Sequence, residues 1–171
     1  DSEESATSET KTTSNNTKTT SSEEVLNAPV NGKIIPNDQI ADDTFAAEFL
    51  GKTVAIEPAD GIITAPCDGE VVSIFETGHA VCILTDGGAE LLIHIGLDTV
   101  TLKGAPFTAH VAAGDHVKKG DLLLDADLEK IQEAGLHIIT PVLVCNTDEY
   151  NKISILKEGE VSPGEDVLQI S

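Results

Sequence analysis

Two apolar runs rich in β-branched residues, joined by Thr85-Asp86-Gly87-Gly88, constrain this chain more than any other stretch. Asp-Gly between such runs is among the strongest short-range hairpin signals, because both residues tolerate the positive φ that tight hairpin turns require. A two-residue Asp86-Gly87 loop closes Thr85 against Gly88, and a four-residue loop closed by Leu84 and Ala89 keeps the same register. That register sets His79 directly opposite His94, with Cβ atoms about 4.5–5.5 Å apart. Moving the loop to Gly87-Gly88 would set Val81 opposite His94 instead. Period-two alternation predicts Val81, Ile83 and Leu92 on the histidine face, and Cys82, Leu91 and Ile93 on the other. Both faces are apolar, so one is core and the histidine face is either covered or a docking patch.

Paired imidazoles have a definite chemical use. A neutral imidazole is a phosphoryl acceptor near neutral pH, and a second ring can donate a hydrogen bond to the incoming oxygens. Two rings this close disfavour double protonation, which helps to keep one neutral. Packing of two histidines in a half-buried hairpin is the plainer alternative. Zinc held by His79 and His94 alone is short of ligands, since protein sites supply three or four. The other histidines, His110, His116 and His137, have no partner at a useful spacing and read as structural or exposed.

The tracts Thr77-Gly78-His79-Ala80, Leu92-Ile93-His94-Ile95-Gly96-Leu97-Asp98-Thr99-Val100 and Leu102-Lys103-Gly104 resemble the IIA domain of the glucose/β-glucoside family of the bacterial phosphoenolpyruvate:sugar phosphotransferase system. Gly114-Asp115-His116-Val117-Lys118-Lys119-Gly120-Asp121 and Thr140-Pro141-Val142 fit the same family, and the wording around both histidines is nearer its β-glucoside, sucrose and trehalose members. The resemblance runs from about Val25 to the end of the chain. It implies an all-β fold, an antiparallel β-sandwich of two related halves (a duplicated hybrid motif) with one or two short helices. It also implies a phosphocarrier: His94 takes a phosphoryl group from phosphorylated HPr and passes it to a cysteine of the IIB domain, while the IIC membrane domain moves the sugar. In this family the residue matching His79 assists, and the one matching Thr77 fixes that second ring. Asp98 could orient His94, meet a basic partner, or simply cap a turn. A IIA-like regulatory domain fused to a secondary sugar transporter would carry the same residues, and is the alternative function. Neither reading calls for a metal or cofactor.

Composition bears on partners and compartment. With Lys and Arg totalling 10 against 30 Asp and Glu, the formal net charge is −20, and every basic residue is a lysine. Such a surface repels nucleic acid and anionic lipid, and it lacks the guanidinium fork suited to permanent phosphate capture. Cys67, Cys82 and Cys145 are odd in number and lack C-x-x-C spacing, so reduced, buried thiols are expected. Residues 1–22 hold 13 Ser or Thr and a single apolar residue, Ala6. They cannot bury enough to offset chain entropy. A disordered linker over 1–24 and a IIA domain over 25–171 are therefore expected. In many members of the resembling family the IIA-like domain is the last module of a membrane permease, so the resemblance implies a cytoplasmic module tethered to a permease, which the linker and the Asp start suit.

From Val25 the chain reads as short strands between Gly, Pro and Asp turns. Strands are expected over 53–56, 61–64, 70–75, 122–125 and 141–145, and short helices over 43–50 and 127–134, each capped by Asp and stopped by Gly. Ala28-Pro29-Val30-Asn31-Gly32-Lys33-Ile34-Ile35 is echoed by Ala65-Pro66-Cys67-Asp68-Gly69-Glu70-Val71-Val72, and Gly114–Gly120 more loosely by Gly159–Gly164. Two copies suit a sandwich of related halves.

Overall fold

Turn-forming residues recur every few positions from Val25 onward, so the backbone can pair only in short segments. The computed structural model describes residues 23–171, except 41, 43–46 and 49–50. The Ser/Thr-rich tract and most of the helix expected over 43–50 lie outside the described residues.

The main layer is an eight-stranded sheet. Its order is β13 (Gly159–Val161), β2 (Gly32–Ile35), β3 (Lys52–Pro58), β11 (Thr140–Val144), β7 (Glu90–His94), β6 (Ala80–Thr85), β5 (Gly69–Ile74) and β9 (His116–Val117). Two three-stranded sheets complete the sandwich. One runs β1 (Glu24–Asn27), β14 (Asp166–Ile170), β12 (Ile153–Ile155), and the other β4 (Ile62–Thr64), β10 (Leu122–Ala126), β8 (Phe107–Ala109). Every named strand pair is antiparallel. Leu26, Ile63, Leu124 and Leu168 of the small sheets meet Ile56, Val81, Ile83, Leu91 and Ile93 of the large one in a single aliphatic core. Aliphatic packing is what a chain with four Phe, one Tyr and no Trp must use.

The sequence echo becomes a pseudo-twofold. From either edge toward the central β11–β7 pair, the large sheet repeats one pattern, with β13-β2-β3-β11 matched by β9-β5-β6-β7. Gly32 of β2 faces Pro58 and Val161, while Gly69 of β5 faces Thr85 and Val117. The halves also exchange equivalent hydrogen bonds: Asn27 N–H donates to the Pro66 carbonyl (2.9 Å) and Thr64 N–H to that of Pro29 (2.7 Å). The looser echo holds as well, since Lys118 N–H donates to Asp121 Oδ2 and Ser162 N–H to Glu165 Oε1. One α-helix stands among the described residues, α1 (Leu128–Glu133). The Asp127 carboxylate caps it by accepting from Lys130 N–H at 3.2 Å, and Ile131 anchors it to the core.

The two echoed glycines mark where β2 and β5 approach their neighbours most closely. A Cβ on Gly32 would stand 2.3 Å from the Glu57 carbonyl oxygen, and one on Gly69 2.4 Å from that of Leu84. Neither oxygen can retreat without disturbing its ladder. Gly32→Ala and Gly69→Ala should each cost about 3 kcal/mol by overpacking. Gly120→Ala, at φ +93° but with open space around it, should cost only about 1 kcal/mol. Urea unfolding of the three variants checks that order.

Candidate functional site

The site grows from the far end of the β6–β7 hairpin, and the near end sets its register. The loop has three residues, Asp86-Gly87-Gly88, closed by Thr85 N–H donating to the Ala89 carbonyl (2.9 Å), with Gly88 at φ +104°. Ala80 therefore faces His94, and Val81 faces Ile93. The expected opposition of His79 and His94 is wrong by one residue. Its cause lies in contacts from distant segments. Thr85 Oγ1 accepts from Ala89 N–H and donates to Glu24 Oε2, both at 2.8 Å. Asn146 donates from Nδ2 to the Gly88 carbonyl and accepts at Oδ1 from Glu90 N–H, both at 2.9 Å. These bonds hold the wider loop. The expected faces change with the register: Val81, Ile83, Leu91 and Ile93 are all core. Leu92 belongs instead to a second apolar cluster with Ile40, Ala55, Leu97 and Leu143 on the opposite side of the sheet.

The two imidazoles nevertheless meet, for a different reason. His79 lies one residue outside β6, beyond strict alternation, and its carbonyl still accepts from Ile95 N–H at 2.8 Å. Just before it, Gly78 at φ +76° closes a turn by donating to the Phe75 carbonyl (2.7 Å). The ring centroids of His79 and His94 end 5.0 Å apart with planes at 78°. Phe75 meets His79 edge-on at 5.1 Å and is itself 42% exposed. His79 is buried at 4% exposure and His94 is half-buried.

A hydrogen bond specifies the tautomer of His94. His94 Nδ1 lies 2.8 Å from the Gly96 carbonyl, which can only accept, so Nδ1 carries the proton and Nε2 carries the lone pair in the neutral ring. On the other ring, Nδ1 of His79 contacts the Thr77 hydroxyl. A hydroxyl donating there leaves the ring proton on Nε2, which makes Nε2 of His79 a donor. One ring thus offers a nucleophilic nitrogen, and the other an N–H that can steady an anion beside it. Burial holds the pKa of both rings below the ordinary imidazole value, and for His79 the neighbouring His94 adds to the effect. The Gly96 carbonyl and the carboxylates of Asp42 and Asp98 partly offset the depression at His94.

The structure brings Thr77, His79 and His94 together and places the remaining candidates elsewhere. Asp98 acts on His94 through charge. Its side chain caps nothing, while its carbonyl accepts from Thr101 N–H (3.1 Å) and Oγ1 (2.8 Å). His110 has a partner that its spacing did not reveal, Asp125 Oδ2 at 2.7 Å across the β8–β10 pair. His116 lies 3.6 Å from Asp86. Lys118 and Lys119 sit on an exposed turn. Of the free cysteines only Cys67 is buried, its thiol pushed up to about 12 by burial and the carboxylates around it, whereas Cys82 is half-buried and Cys145 exposed. Among the described residues no group of three or more His, Cys, Asp or Glu could hold a metal ion, and no helix is long and apolar enough to cross a membrane. The Gly96 carbonyl escaped the sequence reading. The signal for it was a glycine two residues past a histidine at a strand end, where φ is +77°.

Comparison with known proteins places this geometry. The family described as phosphoenolpyruvate-dependent sugar phosphotransferase system, EIIA 1, matches residues 24–150. The chain is 46% identical over 150 residues to the β-glucoside-specific EIIBCA component of Bacillus subtilis (strain 168), covering 88% of this chain and 25% of that protein. It is 45% identical over 144 residues to the glucose-specific EIIA component of Oceanobacillus iheyensis, covering 84% and 87% respectively. These identities do not separate the β-glucoside relative from the glucose one. The glucose permease IIA structure from Mycoplasma capricolum superposes with a TM-score of 0.80 at 36% identity, over 86% of this chain and 96% of that one.

The depressed pKa values have a sign that can be measured. Folding favours both rings neutral, so the stability this contributes is complete above about 6.5 and is lost as pH falls from there through the folded-state values. Ring-proton NMR should show His79 and His94 titrating below the ordinary 6.5. Midpoints at or above that value would contradict the burial seen here.

Proposed function

Starting from the chain's membership of the EIIA 1 family of the phosphoenolpyruvate-dependent sugar phosphotransferase system, we propose that His94 carries the phosphoryl group, with His79 and Thr77 as its partners in transfer. The observation that carries this reading is the meeting of the two rings, with Nδ1 of His94 held on the Gly96 carbonyl and Nδ1 of His79 against the Thr77 hydroxyl. The Nε2 lone pair of His94 attacks phosphorus as the N–P bond of phosphorylated HPr breaks. No proton need leave, because the ring proton already sits on Nδ1. Positive charge grows on the imidazole as the N–P bond forms. The Gly96 carbonyl and the nearby carboxylates of Asp42 and Asp98 favour that charge. Nε2–H of His79 donates to a phosphoryl oxygen, so the step rests on positioning and charge stabilisation rather than covalent machinery.

Delivery to a cysteine of a IIB domain, with a IIC domain moving the sugar, completes the proposed pathway. Its support is that the β-glucoside relative is an EIIBCA component, of which this chain spans about a quarter. The expected 1–24 tract, less Glu24, which opens β1, would then be a flexible tether holding the domain at the cytoplasmic face of a permease, as its Ser/Thr-rich composition allows. Half-exposed Phe75 beside the histidines offers an apolar contact for either partner.

His94→Gln should reduce uptake of radiolabel from phospho-HPr by a thousandfold or more, on the order of losing a covalent nucleophile. His79→Gln should still become labelled, yet pass the label to a purified IIB domain about a hundredfold more slowly, the usual effect of removing one transition-state donor. Label on another residue, or transfer unchanged in both variants, would refute the assignment. Labelling at His94 without any transfer to IIB would favour the regulatory alternative.

A further inference from the structure

We propose that Thr99 is a positioning residue for His94, acting through the backbone of Ile95 and Gly96. This rests on the reading of His94 as phosphoryl carrier and adds what keeps its ring in the competent tautomer. Three peptide planes lie between His94 and Leu97, and each is pinned. Oγ1 of Thr99, a fully buried side chain, donates to the Ile95 carbonyl at 2.6 Å. Ile95 N–H is held by the His79 carbonyl at 2.8 Å, so this residue is fixed at both ends. The next plane carries the Gly96 carbonyl that accepts from His94 Nδ1, and its Leu97 N–H donates to the His137 carbonyl at 3.1 Å. A continuous chain therefore runs from the His137 carbonyl through one peptide group to the imidazole, and such chains polarise along their length.

Steric closure supports the same role. A Cβ at Gly96 would lie 2.6 Å from the Thr99 methyl and 2.8 Å from the His137 oxygen, so the space beside this glycine is filled on two sides. Gly96 sits at φ +77°, where a peptide is free to swing unless its neighbours prevent it. Thr99 supplies two restraints beside the contact from His137. Its hydroxyl holds the plane before Gly96, and its methyl fills the gap over the Cα. Loss of the hydroxyl would strand the buried Ile95 carbonyl, and the cheapest remedy is rotation of the segment that carries the Gly96 oxygen. Once that oxygen turns away, the hydrogen bond that assigns the proton to Nδ1 is lost, and with it the constraint that makes Nε2 the nucleophilic nitrogen.

The test reads the tautomer directly, in the unphosphorylated full chain, from the nitrogen-15 signals of the His94 ring. The wild type should show Nδ1 as the protonated nitrogen. Thr99→Val should shift the ring toward a mixture and slow acceptance from phospho-HPr about tenfold at saturating donor, with KM for the donor unchanged. Thr99→Ser, which keeps the donor and loses only the methyl, should restore the signature and most of the rate. Gly96→Ala gives a second route to the same readout, since its Cβ must displace the Thr99 methyl or the His137 carbonyl. A wild-type signature in Thr99→Val or in Gly96→Ala, or a lost one in Thr99→Ser, overturns the proposal. The signature needs no phosphoryl transfer, so a His94 that never accepts phosphate refutes the proposed function while the tautomer shift still decides the role of Thr99.

Discussion

The hydrogen bond from His94 Nδ1 to the Gly96 carbonyl is the constraint on which the site depends. A neutral imidazole in water exchanges its proton between two nitrogens, so a site that needs one nitrogen nucleophilic must fix the proton on the other. Here a main-chain oxygen does so, and a backbone acceptor has no protonation state of its own to change with pH. Burial then removes the competing form, because desolvation holds the ring below the ordinary imidazole pKa. The same two devices, a fixed Nδ1 partner and burial, act on His79 with a hydroxyl in place of the carbonyl. Two rings 5.0 Å apart can share this small volume because neither is driven to carry charge.

The fold explains why the site occurs once on a scaffold built twice. Carrying the β6–β7 register across the pseudo-twofold puts Thr53 where Ala80 lies and Leu143 where His94 lies, and those two residues do face each other. Both are fully buried, and Leu143 anchors the second apolar cluster beside Ala55 and Leu97. One copy of the ladder thus became packing and the other ends in a reactive ring. The chemistry did not require a new architecture, only a strand end where the chain leaves the ladder for the positive-φ turn at Gly96. Leu97 and Leu92 tie that turn to the cluster around Leu143.

Much of the fold was legible because its signals are local. The spacing between Gly32 and Gly69 recurs in matching ladder positions, and Asp127 caps α1 as its place before an apolar run implied. The hairpin register was not legible. Thr85, Asp86, Gly87 and Gly88 are compatible with loops of two, three or four residues, and the choice is made by Glu24 and Asn146, which are remote in the chain. The proximity of His79 and His94 survived that error because His79 lies beyond the strand, where a turn rather than pleating directs its side chain. The cysteines failed for a related reason. Expecting buried thiols from composition ignores which face of the sheet each occupies, and only Cys67 lies in the core.

Charge completes the account. The chain has no arginine, and among the described residues no lysine contributes to the pKa shift of His79 or His94. Among the described residues the groups around the rings include a carbonyl, a hydroxyl and nearby carboxylates, which in the proposed mechanism favour a cationic phosphoimidazole without clamping its oxygens. An arginine fork would bind those oxygens bidentately and deepen the phosphorylated state. For a domain that must give up what it receives, a deep well is a barrier to the second transfer. In the proposed mechanism, donors matched to the transition state, supplied by His79 and by a partner docked against Phe75, would lower both transfers without trapping the group between them. On that argument a chain without arginine suits the proposed relay, in the same way as the fixed tautomer of His94 does.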